Sequence, residues 1–218
     1  MTPTLTPARE ATSALPTNSS FAYLASKRAV DLIGASLGLL LLAPALLLVA
    51  LLIKLEDGGP ILFTQTRVGK GGKTFRFFKF RSMVTDAEAK RAALKAESGQ
   101  LRFKLERDPR ITRVGAWLRR TSMDELPQLL NVLRGDMTLV GPRPALPEET
   151  AEYDAAARIR LTVQQGLTCL WQVAGRSLLT FEQQMELDRE YVRTRTLWLD
   201  LKLLVLTLPA VASGRGAY

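Results

Sequence analysis

Apolar residues are spread very unevenly along this chain. Residues 1–20 hold Pro3, Pro7 and Pro16 among Thr, Ser and Ala with no apolar period, a pattern that predicts a disordered leader rather than a signal peptide. From Leu32 to Ile53, by contrast, 22 consecutive residues carry no charge. At about 1.5 Å per residue a helix of that length measures about 33 Å, roughly one hydrocarbon thickness. A core helix of a soluble domain is rarely apolar on every face, so a bilayer is the expected environment. The division that follows is a leader over 1–20, a membrane helix over 21–55 and a polar domain over 56–218.

Pro44 lies in the middle of the apolar run, where it removes a backbone donor that lipid does not replace. Both flanks are basic: Arg9, Lys27 and Arg28 oppose Glu10 on one side, and seven Lys and Arg within 54–83 oppose Glu56 and Asp57 on the other. The positive-inside bias keeps both flanks on the cytoplasmic face. The simplest geometry is a re-entrant helix that enters one leaflet, breaks at Pro44 and returns, each arm of about 18 Å matching one leaflet.

Further along, Ile61–Val68 and Thr74–Met83 are β-prone arms around a Gly69–Lys73 turn, which predicts a hairpin. Thr85–Glu97 reads as an exposed, charged helix. After Asp108-Pro109, a short helix is expected to carry Val114, Trp117 and Leu118 inward and to end in Arg119-Arg120. Near the C-terminus, Leu197 to Leu208 is apolar except for Asp200 and Lys202, too short and too charged to span. An interfacial amphipathic helix and a helix packed on the core are both open there. The fold class is therefore α+β, mainly helical: a re-entrant membrane helix, a cytoplasmic-face domain with a small hairpin, and interfacial helices.

Composition narrows the chemistry. The 218 residues include no histidine and one cysteine, Cys169, and carry a formal charge of +9. That excludes a Ser-His-Asp triad, a histidine base, a His-ligated zinc and an internal disulfide. Catalysis is left to carboxylates, hydroxyls, Lys, Arg or a hard metal. Between Arg67 and Arg120 there are 16 basic and 5 acidic residues, which suits an anionic partner near a membrane surface. Phe75, Phe77, Phe78 and Phe80 alternate with cations in a way that superficially suits a nucleic-acid platform, but the glycine and aromatic spacing matches no RNA-recognition motif. A membrane-attached nucleic-acid-binding or adaptor protein is the rival class.

Ser122-Met123-Asp124-Glu125 precedes an apolar helix through Leu126, Leu129, Leu130 and Leu133. Ser122 with Glu125 three residues on fits a capping box. Yet Arg119, Arg120 and Arg143, the last in Gly141-Pro142-Arg143-Pro144, make the same helix start a candidate anion site. Both readings stand on the pattern alone.

Lys27-Arg28 with Asp31, Arg67-Val68-Gly69, Lys79-Phe80-Arg81-Ser82-Met83, Asp108-Pro109-Arg110, Thr121-Ser122-Met123-Asp124-Glu125-Leu126-Pro127-Gln128, Gly135-Asp136-Met137, Gly141-Pro142-Arg143-Pro144, Gly166-Leu167-Thr168, Trp171-Gln172-Val173 and Gly175-Arg176-Ser177 occur in order. Together they resemble the bacterial sugar transferases, the monotopic polyprenyl-phosphate phosphoglycosyl transferases, from about Ser26 onward. The resemblance implies transfer of a sugar 1-phosphate from a UDP-sugar to polyprenyl phosphate, with UMP released and Mg2+ as cofactor, at the cytoplasmic face of the inner membrane. It implies Asp124 as nucleophile, Glu125 with Asp124 as metal ligands, Lys79, Arg119 and Arg143 as phosphate contacts, and Arg176 toward the nucleotide. Membrane lipid is the other expected partner, no nucleic acid is expected, and a homodimer is left open. Ala43 before Pro44, where relatives often have Ser, and Cys169, where Gly is commoner, depart from the pattern.

Overall fold

The structure, a computed structural model, describes residues 20–87, 89–90 and 108–213. The expected leader up to residue 19 and most of the helix expected over Thr85–Glu97 lie outside them. Helix α1 runs Phe21–Asp57, capped at its start by the Ser20 hydroxyl and closed at Gly58, whose φ of 74° suits glycine. Pro44, where the sequence predicts a break, lies inside this one run of helical turns. A proline deletes one hydrogen bond and strains one turn, and the turns on either side keep the ladder going.

Both halves of α1 nevertheless pack on the same domain. Ala35, with Val30 and Leu39, joins a core of Phe77, Leu129, Val132, Met137, Leu139, Val140, Tyr191 and Leu203. Val49 and Ile53, with Leu46 and Ala50, pack on Phe80 and Leu118. Between these anchors Leu40, Leu41, Leu47 and Leu48 are exposed. Only 11% of the most apolar 18-residue stretch of α1 is buried, far less than a core helix requires. Gly34 permits the close approach, because a Cβ there would sit 2.7 Å from Leu139.

Strands β1 (Leu62–Val68) and β2 (Thr74–Phe80) form the expected antiparallel hairpin, in register from Leu62 opposite Phe80 to Val68 opposite Thr74. Phe77, Phe78 and Phe80 are buried in it, so they serve the core rather than an exposed stacking surface. Asn131, fully buried, covers the free edge of β2: its Oδ1 accepts from the Phe78 N–H at 3.1 Å and its Nδ2 donates to the Arg76 carbonyl at 2.7 Å.

Helix α2 (Arg113–Arg120) starts at Thr112, whose hydroxyl accepts from Gly115 N–H. Leu118 is fully buried and Val114 packs beside it, but Trp117 is 38% exposed, which corrects its expected inward placement. The capping box at Ser122 is also absent. Ser122 takes a left-handed φ of 56° and its side chain makes no cap bond. Met123–Gln128 is a 3-10 turn containing Pro127, and helix α3 begins only at Leu129 and ends at Arg134.

Two three-residue strands, β3 (Thr138–Val140) and β4 (Gly166–Thr168), pair in parallel and form a second sheet. The crossover between them carries α4 (Pro147–Ala151) and α5 (Ala155–Arg158). Helices α6 (Leu170–Ala174), α7 (Phe181–Thr194) and α8 (Leu197–Ala212) follow. Of the two readings of the C-terminal stretch, packing on the core is seen in one face of helix α8. Leu203 and Asp200 face the core, while Trp198, Val205 and Leu208 are exposed. Asp200 does not interrupt an apolar face; it is buried against Lys27 Nζ at 2.8 Å and accepts from the hydroxyls of Tyr23 and Tyr191.

Candidate active site

A cavity of about 930 Å3 opens between the hairpin, α2, the 3-10 turn, the Gly-Pro-Arg-Pro segment and α6. It gathers Lys79, Arg119, Asp124, Glu125, Arg143 and Arg176, residues up to 97 positions apart in sequence, on one wall system. Lys79 comes from β2, Arg119 from the last turn of α2, and Asp124 and Glu125 from the 3-10 turn. Gly115 makes the arrangement possible: a Cβ there would lie 2.0 Å from the Ser82 carbonyl oxygen, so only glycine lets α2 lie against the end of β2. Arg119 Nε then reaches the Ser82 hydroxyl at 2.9 Å.

Ser122 and Arg176 are the only non-glycine residues with positive φ among the described residues, and both line the cavity. Such conformations persist only where surrounding structure enforces them, and they concentrate at functional sites.

Glu125 is fully engaged. Lys79 Nζ donates to its Oε1 at 2.9 Å, and Arg143 forks onto both oxygens, at 2.5 and 3.1 Å. Burial pushes the Glu125 carboxyl up, but Arg143 and Lys79 outweigh it and hold it below the usual range. Arg143 is in turn kept charged by Glu125 against its own desolvation.

Asp124 differs. It is 6% exposed, its closest cation is Lys79 at 3.6 Å, and among the described residues its carboxylate accepts no hydrogen bond. Burial raises its pKa; Lys79 opposes that, Glu125 adds to it, and Arg119 and Arg143 oppose it more weakly. The cavity thus offers one carboxylate that is locked and one that is available, inside a ring of cations.

The structure brings every sequence-expected site residue except Pro44 to this cavity, Pro44 belonging to the apolar midsection of α1. Arg67, Arg110, Trp171 and Gln172 also line it, although sequence reasoning gave them no role. Arg110 is held by Asp108 at 2.6 Å, so the Asp108-Pro109-Arg110 turn was a usable signal for it. Among the described residues, no three acidic or thiol side chains cluster as a metal cage.

The sequence model of the family described as bacterial sugar transferase matches residues 22–214. The chain is 44% identical over 200 residues to the galactosyl transferase CpsE of Streptococcus agalactiae, covering 90% of this chain and 44% of that protein. It is 40% identical over 199 residues to the exopolysaccharide production protein ExoY of Rhizobium meliloti, covering 88% of both chains. It is 43% identical over 200 residues to the UDP-glucose:undecaprenyl-phosphate glucose-1-phosphate transferase of Caulobacter vibrioides, covering 88% of this chain and 72% of that protein. The chain therefore spans nearly all of some relatives and under half of others.

Proposed function

The chain belongs to the bacterial sugar transferase family, and on that footing we propose that it transfers a sugar 1-phosphate from a UDP-sugar to polyprenyl phosphate, as an early membrane step of polysaccharide assembly. The observation that carries this reading is the available carboxylate of Asp124 within a cavity walled by Lys79, Arg119 and Arg143. An Asp124 oxygen attacks the β-phosphorus of the donor, the bond from that phosphorus to the bridging oxygen breaks, and UMP leaves. An oxygen of polyprenyl phosphate then attacks the same phosphorus, which frees Asp124 and leaves a polyprenyl diphosphate sugar.

The obstacle is repulsion between two anions. At 4 Å and an effective dielectric near 20, two like charges cost about 4 kcal/mol, enough for about a thousandfold in rate. Arg119, Arg143 and Lys79 offset it, and the guanidinium forks also orient the phosphoryl oxygens. Glu125 keeps Arg143 and Lys79 in place between turnovers. Arg176, with Trp171 and Gln172, faces the nucleotide.

Asp124, whose carboxylate accepts no hydrogen bond among the described residues, would hold Mg2+ in the mode that ion prefers with nucleotides, one or two carboxylates completed by substrate phosphates and water, and Glu125 would join it once Arg143 or Lys79 turns from it to the substrate phosphates. When bound, Mg2+ supplies further neutralisation of the phosphate charge.

The membrane geometry follows from α1. A straight helix of 37 residues is about 55 Å long, yet Arg28 near one end donates to the carbonyls of Val132 and Leu133 while Asp57 at the other binds Arg81. Both ends thus rest on one domain while the leucines around Pro44 stay exposed, which supports an α1 that dips into one leaflet from the cytoplasmic side. There the active site meets the lipid phosphate at the headgroup plane, without extracting the lipid.

The test is direct: purified protein with Mg2+, polyprenyl phosphate and a panel of UDP-sugars should release UMP with at least one donor, and Asp124→Asn should release none. Wild-type-like turnover by that variant would refute the role of Asp124.

A further inference from the structure

Arg143 meets Glu125 with its side chain, but its backbone is held from elsewhere. Pro142 and Pro144 flank it, so the segment supplies no N–H at either neighbouring position. Its three successive carbonyls are each gripped from outside: Pro142 by the Gly166 N–H at 2.8 Å, Arg143 by Arg160 Nη2 at 2.7 Å and Pro144 by Arg67 Nη1 at 3.2 Å. Arg160 does not line the cavity. It is 5% exposed, its Nη2 lies 2.8 Å from Asp188 Oδ2 on α7, and its Nη1 donates to the Tyr153 hydroxyl at 2.7 Å.

A buried ion pair of this kind is a poor way to stabilise a fold, because desolvating both charges offsets most of their attraction and an apolar pair of similar volume does as well. What the pair supplies that an apolar pair does not is a charged donor fixed on one carbonyl, directly behind the guanidinium that faces the reacting phosphate. We infer that Arg160, neutralised by Asp188, is a positioning residue for Arg143, holding its backbone so that the guanidinium fork points at the phosphoryl group of the donor. The inference rests on the proposed transferase reading for the role of Arg143, and adds residues that touch neither substrate nor cavity.

The test is a double-mutant cycle on the full-length protein in detergent, read by UMP release and by UDP affinity in calorimetry, with melting temperature as the control for folding. Arg160→Lys keeps the charge beside Asp188 but loses the fork that reaches Arg143 and Tyr153 together. It should lower kcat/KM and UDP affinity about tenfold. In an Arg143→Lys background the same change should add no more than about twofold, because the group being positioned is already altered. Tyr153→Phe removes one hydrogen bond to Arg160 without stranding a charge, and should give a smaller loss that likewise vanishes beside Arg143→Lys. It carries the test if Arg160→Lys does not fold. Equal losses in both backgrounds, or full activity in folded Arg160→Lys, overturn the inference. Absence of UMP release by the wild type would sink the transferase reading instead, and the cycle would then be read on UDP affinity alone.

Discussion

Lys79 Nζ stands 2.9 Å from Glu125 and 3.6 Å from Asp124, so one ammonium serves two adjacent carboxylates. It is what lets two acids that raise one another's proton affinity share a buried turn. Lys79→Met should therefore do more than remove a substrate contact. It should lower UMP release at least a hundredfold at neutral pH and move the acid limb of the pH profile to higher pH. An unshifted limb would show that Lys79 does not set the charge state of Asp124.

The same burial gives a signed pH dependence. The Asp124 carboxyl is raised above the ordinary aspartate range, and the attack requires it ionised. Activity should fall as pH drops through that raised value, at a higher pH than a solvent-exposed aspartate would give. The stability sign is opposite. A raised carboxyl binds more protons in the folded state, so its ionisation destabilises the fold, fully so above the folded value. Asp124→Asn should thus be inactive yet melt higher than the wild type at neutral pH, by about 2–4 °C for each kcal/mol relieved. A lower melting point for this variant counts against the electrostatic account.

Arg143→Lys preserves charge and loses the fork onto Glu125. Steady-state kinetics should show a loss of about tenfold or more in kcat/KM, and unchanged kinetics would exclude a two-pronged contact.

Lys27→Met leaves Asp200 buried without its cation, and should cost about 3–5 kcal/mol in denaturant titrations. Adding Asp200→Leu should restore most of the loss. If the double variant is no better than the single, the pair is not the cause.

Single cysteines at Ser20 and Lys54, in a background whose own Cys169 is buried, should both label from the cytoplasmic side of sealed vesicles. Labelling from opposite sides would rule out an α1 that returns to its own face.

What the sequence disclosed follows the range of the interactions involved. The hairpin was legible because its arms and its glycine turn are local. Strands β3 and β4 were not, since three residues are too few to show an alternation and their pairing is non-local. The acidic pair was legible as a candidate site from its arginine neighbours, but Ser122 as a helix cap was misleading: the serine's left-handed backbone turns the following residues into a 3-10 turn. Asp200 read only as a charge within an apolar stretch because its cation lies 173 residues away. Arg160 and Asp188 gave no sequence signal, as their shared target is a carbonyl that any residue would present.

That separation has a consequence for biogenesis. Lys27 is synthesised long before Asp200, and at about 5–20 residues per second the interval between them is roughly 9–35 s. Throughout it the leading helix must wait at the bilayer with its ammonium solvated and its seat on the rest of the molecule unmade. Docking thus has to wait for α8, and a nascent chain stalled before α8 should remain open to proteases that the docked form resists.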